Sequence, residues 1–253
     1  MITKIPEEIT LLNESGKRLA HIFAEVAENA VSGASGKKLD QLTEALIREG
    51  GDVPAFLHYT PQGSRQPYPA TLCVSINDEV VHGIPGERQL KDGDIVGLDL
   101  GLSHKGFFVD MAMTIAVGEI LPRDKKLIDD TKEALQKAIE AIKPGGHIGD
   151  IGHAIESFAK PRGYGIVYEL GGHGVGKVVH EKPYVPNFGK PGTGPALVPG
   201  LVIAIEPMLT LGSPDVVLAS DGFTFKTRDG SRSAHFEHTV LITETGAEIL
   251  TKK

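Results

Sequence analysis

The stretch DIVGLDLGLSHKGFFVDMAMTIAVG, residues 94–118, decides how this chain folds. Two apolar runs rich in Val, Ile, Leu and Phe flank the short polar link SHKG, the pattern of two strands joined as a β-hairpin. The centre of that link falls between His104 and Lys105, and Asp99 and Asp110 are equidistant from it. The two acids are therefore expected to face each other across the ladder, with Cβ atoms about 4.5–5.5 Å apart. Their neighbours Leu98, Leu100, Val109 and Met111 are apolar. A half-buried acid pair needs either a shared proton or a cation, whereas a solvent-facing strand would tolerate it with neither.

Outward from the hairpin, periodicity sets the remaining elements. PEEITLLNESGKRLAHIFAEVAENAV carries Ile9, Leu12, Leu19, Phe23, Val26 and Ala30 at helical spacing, with Pro6, Glu7 and Glu8 in the first turn. KKLDQLTEALIREGG is a second helix, closed by Gly-Gly. A proline-rich loop, YTPQGSRQPYPA, precedes the strand-like run TLCVSIND. After the hairpin, DKKLIDDTKEALQKAIEAIKPGG and IGDIGHAIESFAKPRGY read as helices, the first ending at Pro144-Gly145. LVIAIEPML, GFTFKTRDG and AHFEHTVLIT read as strands. Two helices followed by strands thus occur twice, and KDGDIVGLD resembles LVPGLVIAIE. Helices segregated from antiparallel strands indicate an α+β fold.

Composition restricts the function. The chain has 253 residues, 40% hydrophobic and 23% charged, which is the balance of a globular protein. Its net charge of −7 argues against a nucleic-acid surface. The lone Cys73 cannot form an internal disulfide, and no apolar run is long enough to span a membrane. A cytoplasmic protein is expected.

GGHGVGKVVHE, residues 171–181, brings two histidines, His173 and His180, among glycines. A dinucleotide loop would continue as a helix, but Pro183 and Pro186 forbid that. The glycines instead let the backbone approach a site closely. The gap of seven lets His180 reach the same cavity from an adjoining strand. Glu206 ends the run LVIAIE, and Glu237 sits in AHFEHTVLI. Four carboxylates with one imidazole form a hard donor set able to neutralise two divalent cations, the arrangement of two-metal hydrolases.

The ordered set INDEVVHGIP, GLDLG, FFVDMAMT, GGHGVGKVVHE, IAIEPM and HFEHT, running within Pro6 to Thr251, resembles the type I methionine aminopeptidases. The resemblance implies a duplicated pita-bread fold, an antiparallel-dominated sheet covered by helices on one side. It implies one catalytic domain over 1–253 with pseudo-symmetric halves, about 1–120 and 121–253. The implied reaction is removal of N-terminal methionine from nascent proteins whose second residue is small, by metal-activated water attack on the first peptide bond.

The implied metal ligands are Asp99, Asp110, His173, Glu206 and Glu237, with Asp110 and Glu237 bridging two ions of Co, Mn, Fe or Zn. His82 would stand near the substrate amine and scissile bond. His180 would contact the carbonyl and developing oxyanion, and Glu206 would shuttle the proton. Tyr68, Cys73 and Phe223 would line the methionine pocket. Leu170 stands where an aromatic or methionine is usual, Val179 where an aromatic is common and Phe223 where the aromatic is often tryptophan, and the loop HYTPQGSRQPYPA is longer than usual. The implied partners are nascent-chain N-termini and, transiently, the ribosome, with no nucleic acid or membrane, the enzyme being a monomer. By the second-residue rule, Met1 of this chain, followed by Ile2, should stay on. A proline-directed peptidase of the same fold and a catalytically inert binding protein are the competing readings. The seven other histidines, His235 and His238 among them, carry no expected role.

Overall fold

Helix α1 (Pro6–Asn29) opens with Pro6 in its first turn and Glu7 and Glu8 near its positive end, both favourable there. The computed structural model describes residues 1–60 and 66–252. Residues 61–65 of the expected proline-rich loop lie outside the described residues. Helix α2 (Gly36–Glu49) is capped by Ser35, whose side chain accepts from the Lys38 N–H. Helix α3 (Pro122–Glu140) stops short of the expected Pro144-Gly145 end. Pro144 disfavours helical geometry at the residue before it, and the chain leaves the helix through a turn between Ile139 and Ile142. Helix α4 (Ile148–Ala159) follows.

Most strands join in one large antiparallel sheet, while Val216–Leu218, Phe225–Thr227 and Glu79–Val81 form a second, three-stranded one. The main path of the large sheet runs Val53–Pro54, Ile95–His104, Phe107–Ala116, Ser233–Ile242, Val202–Ile205, Gly171–Gly174 and Glu181–Pro186. This is the expected α+β architecture. The run expected as LVIAIEPML is broken into Val202–Ile205 and Met208–Thr210, because Pro207 lacks the N–H that a continuing ladder requires.

The hairpin register differs from the expectation. Asp99 pairs with Ala112 and Asp110 with Gly101, so the acids are diagonal neighbours and not opposed. The turn is Lys105-Gly106, with φ of 49° and 83°. A two-residue type I′ turn needs positive φ at both positions, and the glycine at the tip is Gly106. The glycine moves the turn one position toward the C-terminus, which shifts every cross-strand partner by two residues and keeps both acids on one face.

Alternation along these strands separates core from site. Leu98, Leu100, Leu102, Phe107, Val109 and Met111 pack with Leu12, Leu19, Phe23 and Val26 of α1. Ile203, Ile205, Phe236, Val240 and Ile242 pack with Leu135, Ile139, Ile151 and Ile155 of α3 and α4. Each such side chain contributes about 1.5–3 kcal/mol when fully buried. Asp99, Asp110 and Glu237 alternate with these residues and point to the other face of the sheet. At one edge, the Met1 ammonium donates to the Val175 carbonyl at 2.8 Å and pairs with Glu181 at 3.0 Å, beside His180.

The helix layer meets the C-terminal segment with no space to spare at Gly16, where a Cβ would lie 2.2 Å from the Leu250 carbonyl oxygen. Gly16→Ala gains about 1 kcal/mol of helix propensity. Relieving the backbone clash costs about 1–3 kcal/mol. The clash should win, and the urea midpoint should fall; a higher midpoint would contradict this packing.

Candidate metal centre

The hairpin and strand Ser233–Ile242 bring Asp99, Asp110 and Glu237 to one cavity, of about 270 Å³. Asp110 is held by its backbone. Its N–H donates to Thr239 Oγ1, and that hydroxyl donates to the Asp110 carbonyl, both at 2.8 Å. Thr239 thus continues the pairing of the two strands just past His238 and Met111. Glu206 arrives at the break that Pro207 imposes.

His173 sits in strand Gly171–Gly174. The close-approach reading of those glycines holds. A Cβ at Gly172 would lie 2.2 Å from the Ala204 carbonyl oxygen, and one at Gly174 would lie 2.3 Å from that of Lys182. His173 donates from Nδ1 to the Gly174 carbonyl at 2.9 Å; since a carbonyl can only accept, Nε2 carries the lone pair. That nitrogen lies 3.6 Å from Glu206 Oε1 and 3.9 Å from Asp110 Oδ2.

Buried carboxylates dominate the electrostatics. Burial, reinforced by the charges of Asp110 and Glu206, pushes Asp99 well above the usual carboxylate range. Burial and the three other acids do the same to Glu237. Burial raises Asp110 to about 6 against the opposing pull of His173. Burial also works against Glu206, but His235, His173 and His180 together outweigh it and keep Glu206 below its ordinary value.

The donors fit divalent cations. Oδ1 of Asp99 and Oε1 of Glu237 are buried with no hydrogen-bond partner among the described residues. Ligand atoms of Asp110, His173 and Glu237 all lie within 4.8 Å of one another. Oxygen-rich sets with one imidazole suit hard and borderline divalent ions.

His82, at φ 59°, lines the same cavity, and burial lowers it to about 4. His180 lies with its ring centroid 4.2 Å from that of His173. It is an exposed residue, yet desolvation of the ring, helped by the neighbouring His173, lowers it to about 3. Tyr68, Cys73 and Phe223 form the apolar end with Phe56 and Val179, and Tyr59 packs against them. Tyr68 meets Phe223 edge-on at 5.4 Å and donates to the Gly83 carbonyl at 2.9 Å. Leu170 also lines the cavity.

Three neighbours of the site were not read from the sequence. His235 stands with Nε2 3.5 Å from Glu206 Oε2. It lies two residues from Glu237 on one strand, so alternation alone would have placed both on the same face. His238, one residue on, turns to the other side and meets Thr251 at 2.9 Å. Tyr59 and Phe56 come from an irregular segment that carries no periodic signal.

Without metal, the cluster should make stability fall as pH rises. A carboxyl with a raised folded pKa holds its proton more tightly when folded. Its penalty is absent below the unfolded value of about 4 and grows as pH climbs to the folded value. For Asp110 that window closes at about 6, and Asp99 and Glu237 extend it upward. Asp99→Asn should therefore raise the Tm of metal-free protein at pH 8, by about 2–4 °C per kcal/mol relieved. Calorimetry showing a lower Tm for the variant would contradict the buried acid cluster.

Comparison with known proteins agrees with this chemistry. The model of metallopeptidase family M24 matches residues 10–244. The chain is 44% identical to methionine aminopeptidase 1 of Bacillus subtilis over 252 residues, covering 100% of the chain and 99% of that protein. It is similar to the crystal structure of methionine aminopeptidase from Thermotoga maritima, with a TM-score of 0.94, 44% identity and full coverage of both chains. A prolidase from Pyrococcus horikoshii shares the fold, with a TM-score of 0.78 at 24% identity, the match covering all of this chain and 64% of that one.

Proposed function

The chain belongs to metallopeptidase family M24, and we propose that it removes the N-terminal methionine of nascent polypeptides whose second residue is small. The observation that carries this reading is the junction of two unlike walls in one cavity. Phe56, Tyr59, Tyr68, Cys73 and Phe223 make an apolar end, and the acid and histidine cluster makes the other. An unbranched thioether side chain suits an aromatic-rimmed apolar slot, where sulfur–ring contacts are favourable. A side chain seated there leaves the first peptide bond beside the carboxylates.

Asp99, Asp110, His173, Glu206 and Glu237 would hold two divalent cations of Co, Mn, Fe or Zn. Bound cations supply the Lewis acidity that makes water nucleophilic at neutral pH and polarises the carbonyl. Glu206, whose carboxyl is held below its ordinary value, accepts the proton as water's oxygen bonds to the carbonyl carbon. It then delivers that proton to the amide nitrogen as the C–N bond breaks, releasing methionine and the shortened chain. His180 donates to the carbonyl oxygen as negative charge gathers on it. His82 borders the scissile bond and stays neutral because burial disfavours its charged form.

No helix among the described residues is long and apolar enough to cross a membrane. The setting proposed is the cytoplasm, where the enzyme acts as a monomer on chains emerging from the ribosome, which it visits transiently.

Metal-stripped protein given Mn or Co should release methionine from Met-Ala-Ser and not from Met-Leu-Ser. Glu206→Gln, which cannot carry the proton, should lower kcat by about 10²–10⁴-fold. Absence of release from either peptide, with metal demonstrably bound, would contradict the methionine reading.

A further inference from the structure

Tyr59 contributes a ring to the apolar wall and also a hydroxyl to the chemistry. Its oxygen lies 2.8 Å from Nδ1 of His180, and the two rings sit 5.1 Å apart between centroids. A neutral imidazole carries one proton, and the nitrogen that accepts a hydrogen bond leaves the other as the N–H. The identity of the Nδ1 partner therefore decides what Nε2 can do.

The two neighbouring histidines have opposite kinds of partner. For His173 it is the Gly174 carbonyl, a pure acceptor, which leaves a lone pair on Nε2. For His180 it is a phenol, whose O–H is a strong donor and whose oxygen, conjugated with the ring, is a weak acceptor. Among the described residues, His180 Nδ1 is the one hydrogen-bond partner of the Tyr59 hydroxyl. Burial raises the Tyr59 pKa, so the donor proton stays on.

We propose that Tyr59 is a positioning residue that donates to Nδ1 of His180 and fixes it as the Nε2–H tautomer, the reverse of His173 at 4.2 Å. Two adjacent imidazoles of identical composition thereby take different tasks. His173 presents a lone pair to the carboxylate cluster, as a cation ligand must. His180 presents an N–H, as stabilisation of an oxyanion requires. The aromatic contact holds the ring plane, and the hydroxyl decides where the proton sits. The consequence for catalysis rests on the peptidase reading above; the tautomer assignment does not.

The test is long-range ¹H–¹⁵N correlation on protein labelled at the histidine ring nitrogens, both metal-free and loaded with diamagnetic zinc. His180 in the wild type should show a protonated Nε2 and a hydrogen-bonded, unprotonated Nδ1. Tyr59→Phe, which keeps the ring, should move the His180 Nδ1 resonance and leave His173 as Nδ1–H. With manganese and Met-Ala-Ser, the same variant should lose about 2- to 10-fold in kcat, the worth of one neutral hydrogen bond, with KM changed less. An Nδ1–H tautomer at His180 in the wild type, or His180 resonances identical in wild type and Tyr59→Phe, would overturn the proposal. Failure of the wild type to release methionine would instead overturn the peptidase reading, and the spectrum would still decide the tautomer.

Discussion

Four carboxylates buried on one face of a sheet are the constraint on which the rest of this structure depends. Asp99, Asp110, Glu206 and Glu237 share a cavity with one another's charges, and three of them are driven toward their protonated forms. Such a cluster is costly in an isolated fold. It is tolerable because the opposite face of the same strands packs continuously against four helices, and because the donors suit cations that bind the folded state alone. Ligand binding to the native state adds to its stability by mass action. Stability and function thus draw on the same residues, and the helix layer carries what the acid face takes away.

The antiparallel hairpin is the device that keeps the two faces apart. Period-two alternation sends Leu98, Leu100 and Leu102 to α1 and Asp99 to the cavity, with no special loop needed. A site built on strand interiors is held more rigidly than one built on loops. Glycines complete it where backbones must touch, as Gly172 does against Ala204. Pro207 supplies an interruption, placing Glu206 at a strand end beside His173 and His235.

Much of this was legible in the sequence, for identifiable reasons. Helix α1 was marked by a leading proline and an acidic first turn and α2 by its Gly-Gly end, signals that act locally and need no tertiary help. The acids at 99, 110, 206 and 237 could be grouped because charged residues interrupting apolar strands are rare. The hairpin register is less legible, because the polar link is centred between His104 and Lys105 whereas the positive φ of the turn selects Lys105 and Gly106. The partners shift by two residues, an even number, so the inference that both acids share a face holds. His235 is legible by alternation from Glu237, although no motif marks it. Tyr59 was not legible, since its position depends on how an irregular segment folds back onto His180.

Anomalous diffraction from manganese-loaded crystals grown with free methionine tests the central claim most directly, because it reports cation and side chain in one map. Manganese signal bounded by Asp99, Asp110, His173, Glu206 and Glu237 is the expected result, with the methionine thioether among Phe56, Tyr68, Cys73 and Phe223. Manganese bound elsewhere, or methionine absent from that apolar end while the cations are in place, would contradict the account.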